Sequence, residues 1–296
     1  MRHTVPNLVL FAAALLGAAL IGVGCGGGGG SGGGPSTGGQ QATNADLLWS
    51  VAKLKAEMAK KGDLLILDCR KKIPDTTGKS GVSGTSLGET YLPYEVEHID
   101  GSYWLDMFVF GDPYPTAAGV QDNINAELST LGITANTTIC LYDTGIANPQ
   151  GKVFFQLERQ GLTDVHILDG GLPNWIKVGE PVTDVVPAPR TPSGFVGNID
   201  DRSYCEIPRM KEIFDEIFTG GPNAGDYTMT DFREGPLYYG HKICPDAIRH
   251  GHMPNCGFLC WQDYFDSSTG LLKSPATLEA LSIGAGMIRG KTNVII

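Results

Sequence analysis

Two stretches of this 296-residue chain repeat one another, and the duplication narrows the folds open to it. Asp68-Cys69-Arg70 is matched by Asp231-Phe232-Arg233. Glu97-His98-Ile99-Asp100-Gly101 is matched by Gly251-His252-Met253-Pro254-Asn255. His98 stands 34 residues before Gly132 (132 − 98), and His252 stands 34 before Gly286 (286 − 252). Two motifs that recur at equal spacing specify two copies of one structural unit.

The pattern inside each copy is α/β. Leu64–Asp68 (LLILD) is a short apolar run ending in an acid, the signature of a parallel strand buried on both faces. Before it, Leu47, Leu48, Val51, Leu54 and Met58 recur at helical spacing behind the candidate cap Asn44. The pattern predicts helices over 123–131 and 151–160 and strands at Thr138–Tyr142 and Val165–Leu168. The second copy predicts a helix over 206–218, a strand at Tyr227–Asp231, a helix opening at Ser274-Pro275 and a strand at 293–296. Strands alternating with helices argue for two domains with parallel sheets flanked by helices, the second incomplete.

The first 44 residues are of another kind, holding 13 of the 41 glycines. Arg2 and His3 precede an uncharged apolar run over 8–23, which ends in Ile21-Gly22-Val23-Gly24-Cys25. This stretch reads as a secretory signal, and its small residues before the cysteine resemble the bacterial lipobox, with Cys25 expected as a lipidation site and residues 1–25 as a lipoprotein signal peptide; the alternatives are an uncleaved anchor or an ordinary secreted protein, and Gly22 departs from the usual Leu three before the cysteine. Residues 26–43 carry no charge and no bulky apolar group and read as a flexible tether. The expected location is therefore the bacterial cell envelope, periplasmic or extracytoplasmic and lipid-anchored. Twenty-two basic against 32 acidic residues give a net charge of −10, which argues against a nucleic-acid partner.

Residues 183–203 hold Pro187, Pro189 and Pro192, with Gly194 and Gly197, and read as a linker between domains at 44–182 and 204–296. Six cysteines follow Cys25: Cys69 and Cys140 within apolar runs, and Cys205, Cys244, Cys256 and Cys260 in the C-terminal half, where a disulfide would suit an oxidising compartment. His250, His252, Cys256 and Cys260, with His241 and Cys244 nearby, have spacing that zinc would accept. The repeat already accounts for His252 as a turn residue, so no metal is expected.

These motifs resemble the rhodanese (thiosulfate sulfurtransferase) family in its tandem, two-domain form. The resemblance rests on LLILDCR (64–70), EHIDGS (97–102), TICLYD (138–143) and ILDGGLPNW (167–175), with Gly179 and Pro181 after it, and on TDFR (230–233) and GHMPN (251–255) in the second copy. Asp100 replaces the family's proline, and Asn255-Cys256 replaces its Gly-Ala. The resemblance implies a cysteine at the head of a six-residue loop between strand and helix. Inward N–H groups and the helix dipole would favour its thiolate, which takes the outer sulfur of a donor and passes it on from a persulfide. Thiosulfate or a mercaptopyruvate-type compound is the implied donor, a thiol or cyanide the acceptor, and no cofactor is needed.

In such tandem proteins the nucleophile belongs to the second domain and directly follows its strand. Matching Val294-Ile295-Ile296 to Ile139-Cys140-Leu141 puts that position about two residues beyond Ile296, outside this sequence. The equivalent loop position of the first domain is Asp143, which carries no transferable sulfur and reads as a polar loop residue or helix cap. Arg70 and Arg233 read as partners of the strand-end acids, with Arg233 also a candidate for positive field near the loop, and Trp175 reads as core. The rival reading is a non-catalytic rhodanese-like binding module tethered to the membrane.

Overall fold

A computed structural model of the chain describes residues 47–60, 62–70, 83–84, 90–91, 93–110, 119–145, 148–201, 205, 207–243, 249–289 and 291–295. Cys25, the tether and Cys244 lie outside the described residues. The chain divides into two compact units, one formed by residues 46–199 with 266–272, the other containing 200–265 and 273–296.

The first unit runs β1 (Leu48–Trp49), α1 (Val51–Met58), β2 (Leu64–Asp68), a hairpin of β3 (Ser83–Gly84) and β4 (Thr90–Tyr91), β5 (Tyr103–Trp104), a 3-10 turn at Met107–Phe110, α2 (Val120–Thr130), β6 (Thr138–Tyr142), α3 (Asn148–Arg159), β7 (Val165–Leu168) and α4 (Gly171–Lys177). Its main sheet has the order β1-β7-β6-β2-β5 with every pair parallel. The runs LLILD and TICLY lie side by side in the middle because only a strand covered on both faces tolerates uninterrupted apolar residues. On one face, Val51 and Leu54 of α1 pack with Ile66, Cys140, Tyr142 and Leu168 and with Leu172 and Trp175 of α4. Trp175 is thus core, and its indole N–H donates to Pro181 O at 2.8 Å.

The sequence pattern placed Leu47 and Leu48 in a helix capped at Asn44. Instead Leu48 pairs with Ile167 as strand, and the helix opens at Val51, where the Ser50 hydroxyl accepts the Lys53 N–H at 3.1 Å. A two-residue strand is too short to show a period of its own, so its apolar residues merged with those of the helix behind it.

Residues 183–198 are likewise no free linker. His98 and Thr183 exchange two backbone hydrogen bonds of 2.9 Å as an antiparallel bridge. Tyr103 donates to Ala188 O, Arg190 pairs with Asp63, and the Ser193 hydroxyl donates to Ile133 O. Gly194 N–H then bonds Ser129 Oγ, Gly197 N–H bonds Asn125 Oδ1, and Asn198 N–H bonds Gln160 O. This stretch is a belt fixed along the first unit. Its prolines and glycines suit an extended path held by other elements as well as they suit a flexible one.

The second unit runs α5 (Ile207–Thr219), a 3-10 turn at Ala224–Asp226, β8 (Tyr227–Asp231), α6 (Gly235–Tyr238), β9 (Gly257–Phe258), a 3-10 turn at Trp261–Tyr264, α7 (Pro275–Gly284) and β10 (Thr292–Ile295). Ser274 caps α7 through Thr277 N–H, with Pro275 at its first position. The sheet is small and parallel, in the order β10-β8-β9, the counterpart of β6-β2-β5. Among the described residues no strand lies on the far side of β10, where β7 flanks β6 in the first unit. In one cluster Ile213, Met229, Cys256 and Val294 are buried, while Met210, Phe214, Ile217 and Tyr227 packed against them are only partly covered. No helix of the described residues is long and apolar enough to cross a membrane.

Candidate functional site

In a parallel α/β sheet, chemistry gathers where strands end at their carboxyl edge. In the first unit that edge carries Asp68, Tyr142 and the loop opened by Asp143. Asp68 and Arg70 form a buried ion pair: the guanidinium donates to both carboxylate oxygens at 2.6–3.0 Å, and Arg70 N–H donates to Oδ1 at 3.0 Å. Arg70 also reaches Glu97 O and ties the strand end to the turn that holds His98. The Tyr142 hydroxyl donates to Asp68 Oδ2 at 2.8 Å, accepts the Ile99 N–H at 3.2 Å and meets the Ser102 hydroxyl at 2.9 Å. Burial, and then the Asp68 charge, push the Tyr142 phenol well above its ordinary range, so it stays a donor.

Asp143 heads the loop and is fully buried. Its Oδ1 accepts the Gly145 N–H at 2.7 Å, and its carbonyl accepts the Leu172 N–H at 2.9 Å. The Asp169-Gly170-Gly171 turn closes over it: a Cβ on Gly145 would lie 2.9 Å from Gly170 O, and one on Gly171 would run into Asp143 O. Glycine is required at 171 both for room and for its positive φ of 54°. Asp143 is therefore a packed loop residue rather than an exposed reactant.

The second unit repeats the Asp–Arg clamp of this edge. Arg233 grips Asp231 through N, Nε and Nη2 at 2.6–3.0 Å, and Nη2 donates to Gly251 O at 2.9 Å. Leu259 N–H bonds Asp231 O as Leu105 N–H bonds Asp68 O. Arg233, expected as a candidate source of field near the loop, is thus occupied as a clamp between strand end and turn, like Arg70. Its side chain is 20% exposed against 3% for Arg70.

A further correspondence escaped the sequence reading. Tyr94 stacks on His98 with ring centroids 4.2 Å apart, and its hydroxyl donates to Ser102 O; Tyr238 stacks on His252 at 3.7 Å and donates to Cys256 O. The tyrosine precedes its histidine by four residues in one copy and by fourteen in the other. The longer second loop hid the match, although a search for an aromatic upstream of each histidine would have found it.

The strand pairing fixes the loop position. β2 pairs with β6 as Leu64↔Thr138 and Leu67↔Leu141, and β8 pairs with β10 as Tyr227↔Thr292 and Thr230↔Ile295. Ile295 is therefore the counterpart of Leu141, and the counterpart of Asp143 falls two residues after Ile295. By this register the counterpart stands one residue beyond Ile296, where the apolar match gave about two. The apolar match of Val294-Ile295-Ile296 to Ile139-Cys140-Leu141 had slipped by one place.

None of the thiols whose acidity is resolved is activated. Burial pushes Cys69 and Cys140 well up, with the Asp68 and Asp143 charges adding to the effect at Cys69. Burial raises Cys256 to about 12 and also raises Cys260. Cys69, Cys140, Cys256 and Cys260 are free thiols. Of the residues whose spacing zinc would accept, His252 Nδ1 faces Tyr238 O and His250 Nδ1 faces Gly240 O, and no group of three or more potential ligands occurs among the described residues.

Comparison with known proteins agrees with this geometry. Residues 50–178 match the rhodanese-like domain family. The chain is 27% identical over 221 residues to the sulfur carrier protein TtuD of Thermus thermophilus, covering 71% of this chain and 74% of that one. It is 25% identical over 197 residues to the 3-mercaptopyruvate sulfurtransferase of Homo sapiens, covering 64% of this chain and 62% of that one. The Escherichia coli enzyme SseA, described as having the rhodanese fold of 3-mercaptopyruvate sulfotransferases, superposes with a TM-score of 0.62 at 17% identity, over 84% of this chain and 87% of that one. An anaerobic ergothioneine biosynthesis enzyme from Chlorobium limicola superposes at 0.66 and 16% identity, over 84% and 60%. Residues 50–178 thus match the rhodanese-like domain family, and the chain is similar in sequence to sulfurtransferases and a sulfur carrier protein.

Proposed function

We propose that this protein moves sulfane sulfur from thiosulfate or a mercaptopyruvate-type donor to a thiol or cyanide, and that its nucleophile is a cysteine in the loop after β10. The observation that carries this reading is the duplicated strand end. Asp231, Arg233 and the β8–β10 pairing reproduce Asp68, Arg70 and the β2–β6 pairing, while Asp143 holds the loop position of the first unit. The raised thiols of Cys69, Cys140, Cys256 and Cys260 speak against each of them as the attacking group. A cysteine at the head of that loop would sit among backbone N–H groups and before a helix N-terminus, both of which favour thiolate. The thiolate attacks the outer sulfur of thiosulfate, the S–S bond breaks with loss of sulfite, and the acceptor thiolate then takes the outer sulfur from the persulfide.

On the same reading the protein is a tandem one, in which residues 44–182 form the non-catalytic partner domain and the second domain continues past β10 through the counterpart of 143–175. The partly covered Phe214 and Ile217 are residues that the counterparts of Leu168, Leu172 and Trp175 would bury. The apolar run ending at Cys25 supports lipid attachment, with the Gly-rich tether holding the body off the membrane.

Two measurements on native material test this. Intact mass with C-terminal peptide sequencing is expected to find a longer chain with cysteine two residues after Ile295. Residues 44–296 alone are expected to show no thiosulfate:cyanide sulfurtransfer. A native chain ending at Ile296, or turnover by residues 44–296 that alkylation abolishes, would overturn the proposal; the first outcome would leave the binding-module reading.

A further inference from the structure

The two repeated histidines differ in what their rings face. His252 is exposed, and its ring meets one carbonyl among the described residues, Tyr238 O at 2.9 Å from Nδ1. His98 is fully buried, and both its nitrogens face carbonyl oxygens: Nδ1 lies 2.6 Å from Tyr94 O, and Nε2 lies 3.2 Å from Val185 O in the belt. A neutral imidazole has one N–H and one lone pair, so it satisfies one of these carbonyls and turns a lone pair on the other. The imidazolium donates to both.

We propose that His98 is a doubly donating, protonated ring that latches the belt onto the first unit, and that loss of its proton loosens the belt at Val185. Burial opposes a charge on the ring, and the two facing carbonyls and the stacked tyrosine offset that cost. The face of Tyr94 stacks on it at 4.2 Å, a placement that favours a cation. The charged and titratable groups of the surrounding elements are Glu95, Glu97 and Asp100 on its own turn, Asp184 on the belt, and Asp68 with Arg70 at the end of β2. Arg70 is the one cation among them; it is bonded to Asp68 and to Glu97 O, so its charge is neutralised within its own ion pair. The tyrosine hydroxyls nearby, on Tyr94 and Tyr142, are donors to Ser102 O and Asp68 and carry no charge. The second unit has the same tyrosine–histidine stack, and among the described residues its ring meets one carbonyl, for which one donor suffices.

The latch has direct reporters. Thr183 N–H donates to His98 O and His98 N–H donates to Thr183 O, so both amides are protected while the belt is closed. Ring-nitrogen NMR of the full chain is expected to show both His98 nitrogens protonated at acid pH and one deprotonated at alkaline pH. Over the same interval, exchange of the Thr183 and His98 amides, corrected for intrinsic rates, is expected to rise about tenfold, the effect of losing one charge-assisted hydrogen bond. A His98→Gln variant, which keeps a neutral donor, is expected to lose that pH dependence. A single neutral tautomer at every pH, or amide protection that does not follow ring titration, would overturn the proposal. The ring measurement on the unaltered chain decides the matter even if the variant does not fold.

Discussion

Removing one oxygen from Tyr142 tests whether the strand-end network holds the first unit together. In Tyr142→Phe the ring stays in place and the fully buried hydroxyl is lost. Asp68 Oδ2 loses its 2.8 Å donor but keeps Arg70 Nη2 at 2.6 Å, so its charge stays paired. The Ile99 N–H loses its acceptor in a place water does not reach. A hydrogen bond to a charged group contributes about 1.5–3 kcal/mol, and orphaning a buried N–H costs about 1–3 kcal/mol. The two overlap in one relaxation, so the net loss is about 3 kcal/mol. For a unit of this size that lowers Tm by about 6–12 °C. Urea and thermal unfolding, followed through Trp49, Trp104 and Trp175, give the number. Ser102→Ala is the control: it removes one member of the network and leaves both Asp68 and Ile99 satisfied, so about 1 kcal/mol is expected. A loss below about 1 kcal/mol in Tyr142→Phe, or equal losses in both variants, would refute the reasoning.

Three other outcomes follow from the same structure. Limited proteolysis of the folded chain should spare bonds between residues 183 and 199, since backbone contacts at Thr183, Ser193, Gly194, Gly197 and Asn198 hold that stretch; early cuts there would mean that the belt is open in solution. Native alkylation should leave Cys69 and Cys140 untouched until the first unit unfolds, with Cys260 modified earlier, as peptide mass mapping will report. Burial raises the Asp169 carboxyl even though Leu272 and Gly170 N–H groups bond to it. The folded form thus holds a proton that the unfolded chain has released, and this contribution strengthens the fold as pH falls through the raised value towards the ordinary one. Asp169→Asn keeps an oxygen for Leu272 N–H and should flatten that part of the pH–stability curve; an unchanged curve would count against a raised Asp169.

What the sequence made legible, and what it hid, has physical causes. Leu64–Asp68, Thr138–Tyr142, Val165–Leu168 and Tyr227–Asp231 emerge at their expected bounds because doubly covered parallel strands leave unbroken apolar runs. The Asp-x-Arg pairs were legible because an acid at a buried strand end needs a nearby cation. The belt was hidden because its bonds join residues far apart in sequence to backbone carbonyls, and composition does not encode those. The loop position slipped by one residue because hydrophobicity alone cannot tell Val294 against Ile139 from Val294 against Cys140. The offset of 154 shared by the histidines and the following glycines (252 − 98 and 286 − 132) could have settled it. Tyr142 was seen only as a strand residue, since its hydroxyl partners Asp68, Ile99 and Ser102 come from three separate segments.

The belt also sets how the chain would carry load. Tension applied directly after residue 199 meets the belt first at Asn198, its last attachment, rather than at all its attachments together. Each bond would have to yield before the next is strained: Asn198, Gly197, Gly194 and Ser193, then Arg190, and the His98 bridge at the end. Peeling of this kind needs little force at any moment and dissipates work over many ångströms of travel. The sixteen residues from 183 to 198 therefore form a seam that lengthens before the α/β core beneath it is disturbed.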